Sequence, residues 1–262
     1  MVLQLIHASK GNSTMFGNLS TNNNSDIKEA KDSIGGGSRI FDTDIYAFKI
    51  LAAYGSESSG GALAVNFEFE EHGTGRKLKI QQYVTSSKEK GQNNYYVNAE
   101  GEKHYLPGFN IVNAICLMTA EKELAACVPE QRTLKIYDYD AKAEVPKQVP
   151  VLADLTGKDI YLALEKIIEN KRVKNEATGQ YEDSSETREL NDVAAVFHFG
   201  TKKTLNEARA KAEPEFFDKW KEAKAGTVRD KTKKVAGGGA ASGRPAPAGG
   251  QAGGGKPASL FS

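Results

Sequence analysis

Between about residues 40 and 200 the apolar side chains recur at every second position, and that period restricts the fold more than any other feature. A segment alternating this way sends one face into a core and the other into water, which is the habit of a strand. Residues 45–54 are one such segment. Residues 62–70 are another, with Val65, Phe67 and Phe69 on one face and Asn66, Glu68 and Glu70 on the other. His72-Gly-Thr-Gly75 is a turn, and 77–84 returns antiparallel with Leu78 and Ile80 inward. Residues 94–97 and 103–106 read as a small hairpin, and 109–118, apolar at Ile111, Val112, Ile115 and Cys116, as a helix. Strand patterns resume at 133–139, 145–151, 160–168 and 192–199, and the Glu-rich run 182–189 reads as a hairpin loop. Residues 201–223 are helical and charged. Thr204 and Glu207 have capping-box spacing, Pro214 interrupts the run, and Phe216, Phe217 and Trp220 form a stripe suited to packing on a sheet. Six or seven strands with one inserted helix make the chain mainly β. The favoured architecture is an OB-fold, a five-stranded Greek-key barrel with an inserted hairpin and helix. Strand count alone does not separate it from a sandwich.

Two stretches break the pattern. From about Gly226 to Ser262 the chain is Gly, Ala, Pro, Ser and Lys with little else, too poor in apolar residues to offset the entropy of ordering. Residues 1–225 are therefore read as the folded domain and 226–262 as a disordered tail. The tail holds six basic residues and one acid, which leaves the remainder acidic, at about −4 of a whole-chain net of +1. Its only large apolar residues are Leu260 and Phe261, at the end of a tether, where they suit a docking peptide for a partner protein. Residues 11–39 are rich in Gly, Asn and Ser and read as a flexible loop with a short polar helix around 26–32. Gly35-Gly36-Gly37 lacks the Gly-Lys-Ser/Thr of a phosphate loop.

Near-balanced charge, 35 basic against 34 acidic residues, excludes a uniformly basic nucleic-acid coat. No apolar run approaches the roughly 20 residues that span a bilayer, and the first residues lack the basic, then apolar, pattern of a signal peptide. A cytoplasmic protein is the expectation. Cys116 and Cys127 lie in apolar stretches without zinc-ligand spacing, so they read as core thiols. The four histidines form no metal motif, and no nucleophile elbow is present. Asp42, Asp44 and Glu68 are the only carboxylates on which an enzymatic reading could be built, and nothing in their spacing supports one. The expectation is a protein with no catalytic residues, metal or cofactor.

The tyrosines alternate with lysines on the outward phase of the strands. Opposite Leu78 and Ile80 lie Lys77, Lys79 and Tyr83; opposite Leu134 and Ile136 lie Lys135, Tyr137 and Tyr139. Between them come Lys88, Lys90, Tyr95, Tyr96, Lys103 and Tyr105. A base stacked on an aromatic ring is worth roughly 1–3 kcal/mol, and an adjacent lysine meets the phosphate. Such a surface binds single strands with little sequence preference. Half-buried tyrosines in strands would leave the same pattern.

Two blocks in the C-terminal half carry a resemblance. Leu155-Thr-Gly-Lys158-Asp-Ile-Tyr-Leu-Ala-Leu-Glu-Lys-Ile, and Glu189-Leu-Asn191-Asp-Val-Ala-Ala-Val-Phe197-His198 followed by Thr204-Leu-Asn-Glu207, resemble the series that closes the OB barrel of bacteriophage single-stranded DNA-binding proteins. The resemblance covers about residues 40–225. It implies coating of single-stranded DNA in replication and recombination inside an infected bacterial host. Many such proteins end in an acidic tail that recruits replication enzymes, whereas this tail is basic and ends in Leu-Phe-Ser. That departure is similar to the podophage type that also activates host RNA polymerase, which implies a transcriptional role for Leu260, Phe261 and the tail lysines. The alternative is a protein-interaction or assembly module whose basic tail touches nucleic acid non-specifically.

Overall fold

The computed structural model describes residues 40–138, 141–176 and 178–235. The expectations for residues 1–39, Tyr139, Leu260 and Phe261 lie outside the described residues. The fold is mainly β, with ten strands among the described residues rather than six or seven.

Its centre is β1 (Asp44–Glu57), which pairs with neighbours on both edges. On one side it runs antiparallel to β2 (Leu63–Glu71), which pairs with β3 (Lys77–Tyr83). On the other it pairs first with β8 (Asp159–Lys174), over Asp44 to Lys49, and then at Tyr54 with the end of β7 (Ala143–Val151). The register slips between Ile50 and Ala52, so one extra residue bends β1 where it changes partner. β7 forms a hairpin with β6 (Glu130–Asp138), and β8 with β9 (Tyr181–His198). A separate small hairpin joins β4 (Tyr95–Val97) to β5 (Lys103–Tyr105).

The ladder β3-β2-β1-β8-β9 is antiparallel at every step. It does not close: among the described residues β3 and β9 do not pair. Helix α1 (Pro107–Ala120) instead lies against β3, β8 and β9. Alternation decides what it meets. Phe48, Ile50, Phe67, Phe69, Ile160, Leu162 and Leu164 all point inward and pack with Val112, Ile115 and Cys116 of the helix. Fully burying each of the larger side chains is worth roughly 1.5–3 kcal/mol. Both cysteines are in this core. Burial pushes the Cys116 thiol well above its ordinary range, and the neighbouring Cys127 adds to the shift.

Among the described residues, two short helices cover one end of the opposite, outer face. Helix α2 (Leu205–Ala210) starts with the expected capping box: Thr204 Oγ1 accepts from Glu207 N–H at 3.1 Å, and Glu207 Oε2 accepts from Thr204 N–H at 2.8 Å. The other Glu207 oxygen accepts from Phe216 N–H at 2.8 Å, which ties α2 to α3 (Glu215–Lys224). Phe217 and Trp220 of α3 are buried against Ile45, Ala163 and Phe197. Phe216, expected in the same stripe, is partly exposed because it falls off that face.

Two expectations are corrected. Residues 182–189 are not a loop but part of β9, because their charged side chains meet opposite charges across the hairpin: Arg188–Glu169 at 2.7 Å, Lys171–Glu186 at 2.9 Å and Arg172–Asp183 at 3.9 Å. Residues 226–235, placed in the tail by composition, begin as β10 (Val228–Asp230), parallel to β8 along the edge that β1 vacates. The segment holds by its backbone and its charges rather than by apolar burial. Residues 85–94 carry a 3-10 turn (Lys88–Lys90) and are tied to the β1–β2 turn. Lys88 N–H donates to Gly60 O at 3.0 Å, and Ser86 N–H to Asn93 O at 2.8 Å.

Candidate nucleic-acid interface

The outer face beyond α3 is built row by row from strand register. One row runs Asp159, Lys49, Glu70, Lys77 across β8, β1, β2 and β3. Parallel to it run Ala52, Glu68, Lys79, then Tyr54, Asn66, Gln81, then Ser56, Ala64, Tyr83. Lys77, Lys79 and Tyr83 therefore share one face, as their alternation requires, and Tyr83 is 46% exposed.

The lysines of this face are already engaged. Lys79 Nζ lies 2.7 Å from Glu68 and Lys77 Nζ 3.8 Å from Glu70; in the adjoining turn Lys88 Nζ lies 2.6 Å from Glu57. The Glu68 hydrogen bond holds Lys79 above the ordinary lysine range despite partial burial, with Glu144 of β7 contributing at longer range. Burial, then Glu68, raises Tyr54. A hydrogen-bonded chain continues across the sheet, from Gln81 to Asn66 at 3.0 Å and from Asn66 to Ser56 at 2.7 Å.

The β4–β5 hairpin adds rings at the Tyr83 end, and glycine fixes its position. A Cβ on Gly108 would stand 2.3 Å from the carbonyl oxygen of Tyr83, so only glycine lets α1 start against the end of β3. The hairpin runs directly into that start. Its register sets Tyr95 opposite Tyr105 and Val97 opposite Lys103, hence on one face, and Tyr96 with His104 on the other. Lys103 Nζ sits 4.8 Å from the Tyr95 ring centre, Tyr105 packs on Phe109 at 5.1 Å, and Tyr96 on His104 at 5.7 Å. The tyrosines are thus divided between two faces of the hairpin. Lys90 is exposed on the 3-10 turn, and Lys135 and Tyr137 are exposed on one face of the β6–β7 hairpin.

No protein-family model and no curated protein matches this chain.

The carboxylates on which an enzymatic reading could rest have structural partners. Asp42 lies 3.7 Å from Lys166, Asp44 lies 3.6 Å from Lys221 and accepts from Ile45 N–H at 2.7 Å, and Glu68 holds Lys79. Sequence reasoning missed Lys49, Tyr54, His72, Tyr161 and Phe199, all on or beside this face. Lys49, Tyr54 and Tyr161 sit on the outward phase and were legible from it; His72 was read only as a turn residue.

Proposed function

We propose that this chain is a non-enzymatic single-stranded DNA-binding protein of OB type, with its binding surface on the outer face of β1, β2 and β3. The strand order supports the fold reading. Three antiparallel strands, then a helix-containing insertion, then β8 pairing back on β1 and β9 on β8, resemble the layout of a partly open OB barrel, in which the second and third strands bind oligonucleotides. The observation that carries the functional reading is the exposure of Tyr83, Tyr96, Tyr105 and Tyr137 beside that face.

Relative magnitudes favour the rings over the lysines. Each stacked base is worth about 1–3 kcal/mol, whereas an exposed ion pair such as Lys77–Glu70 contributes only about 0–1 kcal/mol. Phosphates can therefore displace the carboxylates, but stacking supplies most of the affinity and the preference for single strands. Duplex DNA hides the base faces. The resemblance to phage single-stranded DNA-binding proteins extends the proposal to replication and recombination in an infected bacterium. It also assigns Leu260 and Phe261 to a partner, host RNA polymerase or a phage replication protein.

The test is anisotropy titration of the full chain with a labelled single strand and its duplex at several salt concentrations. Tight single-strand binding, a duplex penalty and a log–log salt slope of about −0.7 per neutralised phosphate are expected. Equal, weak binding to both forms overturns the reading. The engaged state of Lys77, Lys79 and Lys88 favours a second reading, an interaction module whose tail alone contacts nucleic acid. Binding carried wholly by residues 236–262 would establish that one instead.

A further inference from the structure

At the α3 end of the outer face, three rings from three different segments come together. His72, just past β2, donates its N–H to Ala47 O at 2.9 Å, and Ala47 pairs with Tyr161 across β1 and β8. On this face the side chain between His72 and Tyr161 is therefore only a methyl group. Phe199, just past β9, fills the space above it. Its ring centre lies 5.1 Å from Tyr161 and 5.5 Å from His72, with planes inclined by 22° and 26°. Tyr161 is braced from beneath by Phe217, edge-on at 5.2 Å, and His72 Nε2 is held by Asp159 at 2.9 Å. The result is a near-parallel, offset column on a rigid base, with Phe199 and the His72 side chain each 38% exposed.

The cations beside this column differ from those at the Tyr83 end. Lys49 faces outward from β1, next to Asp159 and in the row that leads to Lys77. Lys202 follows Phe199 closely and lies 5.0 Å from the Phe217 ring centre. Neither makes an ion pair among the described residues, whereas Lys77, Lys79 and Lys88 each do. Ready cations and exposed, preorganised rings are what an unpaired nucleotide requires: the base stacks on a ring and the phosphate meets a lysine. Core packing accounts for Tyr161, but it does not require Phe199 and His72 to stay open to solvent.

We infer that His72, Phe199 and Tyr161 form a second base-stacking station for single-stranded DNA, with Lys49 and Lys202 taking the flanking phosphates. This rests on the single-strand reading above and extends its path to the opposite end of the same sheet face. Tyr83 lies on the row of Ser56 and the ring column on the row of Ala47. At about 3.3 Å per residue the strand between them spans roughly 30 Å. A single strand engaging both stations must cross the whole face.

The experiment is anisotropy titration of full-length Phe199→Leu, His72→Ala and Lys49→Gln proteins with a labelled oligothymidylate at several salt concentrations, beside Tyr83→Ala and a melting curve for each. Phe199→Leu and His72→Ala are expected to lose about 5- to 100-fold in affinity, the scale of one stacked base. Lys49→Gln should flatten the log–log salt slope by about 0.7 with an unchanged melting temperature. Because Phe199→Leu can loosen the contact with Tyr161, His72→Ala and Lys49→Gln carry the conclusion if its melting temperature falls. Wild-type affinity in both ring variants and an unchanged slope in Lys49→Gln, with Tyr83→Ala weakened, overturns the station and leaves the single-strand reading standing. Absence of any single-strand preference in the unaltered protein overturns both.

Discussion

Cutting the chain after Ala225, where its composition changes, should damage the folded domain, whereas cutting after Val235 should not. The difference lies in residues 226–235. Glu165 is only 8% exposed, and its carboxylate is held by Arg229 at 3.1 Å and Lys224 at 3.4 Å. Asn170, 7% exposed, treats Lys233 as a strand partner: its Oδ1 accepts from Lys233 N–H at 2.6 Å and its Nδ2 donates to Lys233 O at 3.2 Å. Removing the segment strips Asn170 of both bonds and leaves its Nδ2 only Ser184 O, at 2.8 Å; an unsatisfied buried polar atom costs about 1–3 kcal/mol. Glu165 keeps Lys224, and Arg229 is more than half exposed, so that loss is no more than about 1 kcal/mol. The total is about 1–4 kcal/mol. For a domain of this size it lowers the melting temperature by roughly 2–16 °C. The assay is thermal unfolding of the 1–225, 1–235 and full-length chains, with Asn170→Ala introduced into each. Asn170→Ala should cost the two longer chains more than it costs 1–225, where only the bond to Ser184 O is left to lose. If 1–225 melts together with 1–235, the segment contributes nothing and the reasoning is wrong.

Gly108→Ala should cost about 1–3 kcal/mol, because its methyl meets the backbone of Tyr83 and α1 must back away from β3; chemical denaturation measures it, and an unchanged midpoint refutes the close approach. Hydrogen bonds from Thr204 and Phe216 outweigh the burial of Glu207 and hold its carboxyl below the ordinary range. Its contribution is therefore complete above the unfolded value near 4.3 and is lost as pH falls through the lower folded value. Glu207→Gln should lower the melting temperature at pH 7 and converge on the unaltered protein in acid; a pH-independent difference counts against that cap. Thr204→Ala should cost about 1 kcal/mol by equilibrium unfolding. Among the hairpin tyrosines, Tyr105→Ala and Tyr96→Ala should differ in their effect on single-strand affinity, because the two rings occupy opposite faces; equal losses would mean that the strand wraps the hairpin.

Much of the fold was legible because alternation and capping are local. Val65, Phe67 and Phe69 were assigned to the core, and Thr204 with Glu207 to a helix start, from spacing that no tertiary contact had to rescue. Where pairing partners are distant, spacing was silent. Residues 182–189 carry no apolar alternation, and their strand depends on charged partners on β8 that come close only after the hairpin forms. Val228–Asp230 is a strand because β8 runs past the start of β1 and leaves an edge unpaired. The site divides the same way. The outward phase found Lys77, Lys79 and Tyr83, but it could not show that Glu68 and Glu70 stand opposite the lysines. Nor could it bring Phe199 and His72, 127 positions apart, into one column.

The carboxylates paired with Lys77, Lys79 and Lys88 make this face an ion exchanger rather than a bare cationic strip. A phosphate arriving at Lys79 sheds its own sodium but evicts Glu68, which must then attract one. The net release of salt ions at such a position is close to nil. Only lysines without a resident carboxylate register fully in the ionic-strength dependence. Counting phosphate contacts from that slope would therefore undercount them, and a protein with this surface would hold DNA in concentrated salt better than its number of contacts suggests.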